Sequence, residues 1–193
     1  SLFASPVGRL SVGSMVAGHW VMVGVMTMTP LHLKAGDHNL EIIGFVISLH
    51  IIGMYAASPV VGWLTDRITA PPVMAMGGVI LFIGAQMTAN TPIHESDGIF
   101  WGLFLIGLGW SFGLVASSAL LAVTFDGVDR VRVQGLADLS MTTAGALAGV
   151  SAGLVVAATS FETLSNIASL VGLLPIFGFA ALMVSQRKAR SAA

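Results

Sequence analysis

Four side chains that could act on a solute stand in stretches otherwise almost free of polarity: His19, His50, Trp110 and Ser111. A histidine in such a place can change charge near neutral pH, so it can couple the movement of a solute to a proton. The competing reading is that each histidine bonds a backbone carbonyl or a hydroxyl on a neighbouring helix. For His50 the two readings are balanced, and for His19 the sequence leans to a pathway role. Trp20 and Trp110 could stack on an aromatic or cationic solute, whereas Trp101 reads as an interface anchor. Met15, Met22, Met26 and Met28 crowd one segment with thioethers, which adapt to varied apolar ligands and pack ordinary helices equally well.

The elements that must position these groups follow from where charge is missing. The runs 10–33, 42–65, 68–94, 98–125, 139–161 and 163–186 contain no Asp, Glu, Lys or Arg. Each can cross a hydrocarbon core ~30 Å thick, which takes about 20 residues at 1.5 Å each. In lipid the backbone must satisfy its own hydrogen bonds, so runs of this kind are helices. The expected fold is an all-α membrane protein: a six-transmembrane-helix bundle over a single membrane domain, 1–193, in a 3+3 inverted arrangement. Spans are expected at about 12–32, 41–64, 72–91, 98–122, 135–158 and 162–185. On that register His50, Trp110 and Ser111 fall close to the bilayer midplane and His19 somewhat inside it. Intramembrane polar groups are costly and are suspects for function by default.

Composition excludes other classes. Charged residues are 9% of the chain against roughly 25% in soluble domains. There is no basic stripe for nucleic acid, and with no cysteine there is neither disulfide nor thiolate chemistry. No Gly-x-x-x-x-Gly-Lys-Ser/Thr loop is present, which excludes an ATP-driven pump, and no filter motif suggests a channel. No cofactor or metal site is expected. Seven basic residues (Arg9, Arg67, Arg130, Arg132, Arg187, Lys188, Arg190) lie on the side of the two termini and Lys34 alone on the other. The positive-inside rule makes both ends cytoplasmic. A bacterial plasma membrane is the expected location. The chain begins at Ser1 rather than Met, so a fragment is expected.

Local signals add detail. Pro59 should kink the second span, Thr91-Pro92 should end the third, and Thr159 with Glu162 reads as a capping box opening the sixth. Gly145, Gly149 and Gly153, four apart, should form a close-packing seam. Gln86 and Asn90 should bond between helices. Segments 66–72 and 126–133 read as inner loops. Asp138, one turn inside the fifth span, needs a partner, for which Arg132 or Arg67 is expected.

Several segments resemble the second half of a major facilitator superfamily transporter. Gly62-Trp63-Leu64-Thr65-Asp66-Arg67 is similar to the family's signature loop, although Thr69 stands where a second Gly is expected and Pro71-Pro72 where basic residues would be. Met28–His32, Ser48–Tyr55, Gly107–Phe112 and Arg132–Asp138 extend the likeness along nearly the whole chain. The resemblance implies half of a twelve-helix secondary transporter that works by alternating access, is not an enzyme, and lacks its N-terminal half here. The first and fourth spans would line the path with the second and fifth beside them, giving His19, Trp20, Met26, His50, Trp110 and Ser111 as pathway residues. Gly62, Asp66, Arg67, Arg130, Arg132 and Asp138 would form a cytoplasmic gating layer. The implied partners are the lipid bilayer, the absent half, a small neutral, amphipathic or weakly charged solute, and protons. Two alternatives stand beside it. An intramembrane serine protease is suggested by Gly109-Trp110-Ser111-Phe112-Gly113 with a histidine as base, and an inactive truncated membrane scaffold is the other.

Overall fold

The computed structural model describes residues 2–191, with the backbone alone at Ala189–Ser191, so Ser1 and the side chain of Arg190 lie outside the described residues. The order is α1 (Pro6–Ala35), α2 (Leu40–Tyr55), α3 (Ser58–Ile68), α4 (Ala70–Ala89), α5 (Asp97–Thr124), α6 (Gly127–Ala158), α7 (Phe161–Gly172) and α8 (Leu174–Ser191). α2 with α3 and α7 with α8 each make one interrupted span, so six helices are long and apolar enough to cross a membrane. Among the described residues there is no strand.

The ends of these helices show how polar backbone is kept satisfied. Ser5 accepts from the Gly8 N–H at 3.4 Å and Pro6 opens α1 at a position where no N–H is needed. Asn39 caps α2 through the Ile42 N–H at 2.9 Å. The sixth span is capped by Ser160, which accepts from the Thr163 N–H at 3.0 Å, and not by the expected Thr159–Glu162 pair. Thr159 instead turns its hydroxyl back onto the Val155 carbonyl at 2.7 Å, a local bond that takes it out of competition for the cap.

Two expected inner loops are mostly helix. α3 continues through Asp66 and Arg67, and a single residue, Thr69, separates it from α4. α6 starts at Gly127, so Asp129, Arg130 and Arg132 ride on its first turns. Thr69 has φ 70° and ψ 162°, a region that essentially only glycine enters freely and that costs other residues on the order of 1–3 kcal/mol. This gives a physical reason for the glycine of the signature loop at this place.

Spans 1 and 4 occupy the middle, with 61% of their apolar windows buried, and spans 2 and 5 flank them at 22%. α5 is in contact with α4, α2 and α1, and α6 lies mainly along α1. The core between them holds Val21, Val25, Leu81, Ile99, Leu103 and Ile106. Lipid supplies no hydrophobic drive for helix association, so close backbone packing does that work. A Cβ on Gly109 would stand 2.8 Å from the Gly77 carbonyl oxygen, and one on Gly84 2.7 Å from that of Gly102. Of the expected α6 seam, Gly145 is pressed on His19, a Cβ on Gly149 would stand 3.9 Å from Val23, and one on Gly153 would meet nothing within 4 Å. Gln86 ties α4 to α7 by donating to Asn166 Oδ1 at 3.0 Å and Ser169 Oγ at 2.8 Å. Asn90 bonds within its own helix, to the Gln86 carbonyl at 2.7 Å, and not across helices as expected.

Thermal unfolding in detergent should therefore respond oppositely to two substitutions. Thr69→Gly should raise stability by about 1 kcal/mol by relieving the positive φ. Gly109→Val should lower it by at least ~3 kcal/mol, since backbone on both sides leaves no room to adjust, whereas Gly153→Val should leave the midpoint unchanged.

Candidate functional site

The second span breaks near its centre. Pro59 has no N–H to give the Tyr55 carbonyl, so α2 ends at Tyr55, Ala56 and Ala57 form a short link, and α3 begins at Ser58. A carbonyl freed inside a membrane is tolerated where it lines a polar cavity or faces protein.

Around this break three spans bring their polar and aromatic groups together. The Trp110 indole Nε1–H of α5 donates to His19 Nδ1 of α1 at 3.0 Å, with ring centroids 6.0 Å apart. Tyr55 meets Trp110 edge to face at 6.0 Å, with 81° between planes. Ser58 and Ser111 share a hydrogen bond at 3.2 Å. Trp110 and Ser111 are buried, His19 is half-buried, and Tyr55 is 59% exposed at the open face of the cluster. On its far side His19 rests against Gly145 of α6, where a Cβ would lie 2.7 Å from its Nε2. All of these residues fall near the middle of their spans.

The indole bond fixes the chemistry of His19. A ring nitrogen that accepts must carry a lone pair, so the neutral imidazole holds its proton on Nε2. A second proton would put an N–H on Nδ1, facing the indole N–H, and this bond could not persist. The cluster contains no formal charge. It offers an exposed aromatic ring, hydroxyls, the freed Tyr55 carbonyl and one histidine, a set suited to a flat solute with hydrogen-bonding edges.

Other nominated residues lie elsewhere. His50 is fully buried, and its Nδ1 bonds the Leu103 carbonyl at 2.7 Å, tying α2 to α5. Its Nε2 has no partner among the described residues. Trp20 lines a cavity between α1 and the sixth span. Met26 is half-buried two turns outward from His19 on the same side of α1. Gly62 is half-buried, while Asp66 and Arg67 are exposed at the end of α3, with the guanidinium 5.2 Å from the Trp63 ring centre. Arg130 donates to the Phe125 carbonyl at 3.3 Å, and Arg132 lines a cavity with Asp129. Asp138 takes its hydrogen bond from Gln134 Nε2 at 3.0 Å, and neither expected arginine serves. A neutral donor one turn away on the same helix reaches it first.

The serine protease alternative fails on geometry. A serine nucleophile needs a base within hydrogen-bond reach, and Ser111 faces Ser58 while His50 and His19 are engaged by Leu103 and Trp110. Tyr55 and Ser58 are the members of the cluster that sequence reasoning passed over. Their signal was Pro59, since the residue four before an intramembrane proline always loses a backbone donor.

The Major Facilitator Superfamily profile matches residues 10–193. The chain belongs to this superfamily. It is 36% identical over 162 residues to YdeG, an uncharacterized MFS-type transporter of Bacillus subtilis, covering 84% of this chain and 38% of that protein. A second uncharacterized MFS-type transporter of Bacillus subtilis, YddS, is 33% identical over 162 residues, or 84% of this chain and 37% of the other. The riboflavin transporter RfnT of Brucella anthropi is 28% identical over 165 residues, 85% of this chain and 41% of that one. The chain thus spans about two fifths of the length of these curated relatives.

Replacing Trp110 by Phe keeps a ring and removes the donor. It should cost about 1 kcal/mol and turn the single His19 tautomer into a mixture. Nitrogen-15 NMR of labelled histidine would show this as Nδ1 losing its purely acceptor-type shift.

Proposed function

We propose that this chain forms one wall of a secondary transporter that moves a small planar, uncharged solute by alternating access, with His19 as the group that couples transport to a proton. The observation that carries the proposal is the Trp110 Nε1–H bond to His19 Nδ1. It makes the contact between spans 1 and 4 depend on protonation: neutral His19 accepts the indole proton, and charged His19 must release it. Because His19 is wedged against Gly145, a turn of its ring also disturbs the packing of α6 on α1. One proton therefore acts on a central pair and a flanking span together, the kind of two-state element that a transport cycle requires.

Sequence and structure support the remaining parts of the reading. Spans 1 and 4 are central, and Tyr55 opens the cluster to the side where spans 2 and 5 flank them, the side assigned to a missing N-terminal half. Asp66, Arg67, Arg130, Arg132 and Asp138 gather at the end of the bundle near both termini, where they form the gating layer with Gly62. The excess of basic residues there supports termini on the cytoplasmic side. A riboflavin transporter among the relatives agrees with a ring-shaped solute stacked on the exposed ring of Tyr55.

The test is uptake by the full-length parent in proteoliposomes under an imposed pH gradient, with flavins and other planar solutes. Tyr55→Ala should reduce flux about tenfold, the loss of a stacking surface worth ~1.5 kcal/mol. His19→Gln keeps an acceptor for the indole, so it should preserve exchange of solute and abolish the response to the gradient. Absence of gradient-dependent flux for every solute would leave the inactive scaffold as the better reading.

A further inference from the structure

Between α1 and the sixth span runs a groove that the transport site does not use. A cavity of about 450 Å³ is walled by Leu10, Val16, Ala17, Trp20, Val171 and Leu174. A second, of about 210 Å³, continues it toward the chain termini, and the two share Arg9, Leu10 and Gly178. The groove exists because glycines floor it. A Cβ on Gly13 would meet nothing within 4 Å, and one on Gly178 would meet only the tip of Leu10 at 2.9 Å. Trp20 faces this side of α1, and His19, its neighbour, faces α5 and α6.

We infer that this groove holds an anionic phospholipid, with its phosphate on Arg9 and an acyl chain laid along α1 to Trp20. Three observations point to that occupant. Arg9 and Trp20 are eleven residues apart on one helix, about 16 Å at 1.5 Å per residue, which matches one leaflet of a hydrocarbon core ~30 Å thick. The walls are apolar along this length, and among the described residues the one formal charge lining the two cavities is the cation at the water-facing end. Arg9 is held at that mouth by hydrogen bonds from Nη1 to the Phe3 and Ala4 carbonyls at 3.3 and 3.4 Å, leaving its other N–H groups to face a phosphate. The N-terminus of α1, at Pro6 three residues before Arg9, adds positive potential at the same place. A second copy of the chain would bring another Arg9 or an apolar helix to this mouth and would not neutralise it.

The experiment is native mass spectrometry of the full polypeptide in mild detergent, titrated with phosphatidylglycerol and phosphatidylcholine. The wild type should retain one phosphatidylglycerol about fivefold better than phosphatidylcholine, the effect of one basic residue near a lipid surface. Arg9→Gln lies on an exposed side chain and should bring the two lipids to parity. Gly13→Leu fills open space and should lose both, with an unchanged melting temperature. A preference that survives Arg9→Gln, or retention that survives Gly13→Leu, would overturn the inference. So would a dimer that Gly13→Leu dissolves, since the groove would then be an interface between copies.

Discussion

Inside a membrane every backbone N–H and C=O must find its partner within the protein, and this one constraint orders the whole molecule. It forces six helices from six uncharged runs. It also makes each departure from helix informative, because a freed carbonyl at midplane depth has to be accommodated by something. Pro59 creates such a group at Tyr55, and around it stand Ser58, Ser111, Trp110 and His19. One group of intramembrane polar residues thus collects where the helical ladder is interrupted, while His50 and the Gln86–Asn166–Ser169 set tie helices together elsewhere.

Packing explains why the collection holds its shape. α4 and α5 meet through the pairs Gly77–Gly109 and Gly84–Gly102, which leave no space for a side chain on either partner. That fixes α5, and α5 in turn carries Trp110 and Ser111 on its inner side. His50 pins α2 to the Leu103 carbonyl of the same helix, so span 2 is anchored above the break, and the Ser58–Ser111 bond ties the start of α3 to α5 below it. His19 and His50 look alike in the sequence and differ in the structure. One bonds a helix backbone in a sealed contact, and the other bonds a side chain at the open side of the bundle.

Fold class was legible because it rests on the placement of charge, which nothing downstream can alter. The span count follows from the same signal, and the break at Pro59 from a missing N–H that the sequence shows directly. What sequence misjudged was local competition. Thr159 and Ser160 are adjacent potential caps, and a back-bond to Val155 decided between them. Asp138 was assigned an arginine because opposite charges attract, yet Gln134 lies one turn away and needs no reach. The charged stretch at 126–133 read as loop, but charges near a membrane surface are compatible with helix, and α6 simply begins earlier. Within the site, His19, Trp110 and Ser111 were visible as polar intruders, while Tyr55 and Ser58 were hidden because their importance comes from a missing N–H four residues on.

Thr69 joins α3 to α4 as an elbow of one residue, held at an unfavourable φ. α4 is packed on α5 through its glycines, so this elbow ties the inner end of α3 to a fixed pair. α3 is thereby a short strut, pinned at Thr69 and jointed at the Ala56–Ala57 link immediately beneath Tyr55. Asp66 and Arg67 sit on the water-facing end of that strut, and the aromatic ring at the centre of the membrane sits just beyond its other end.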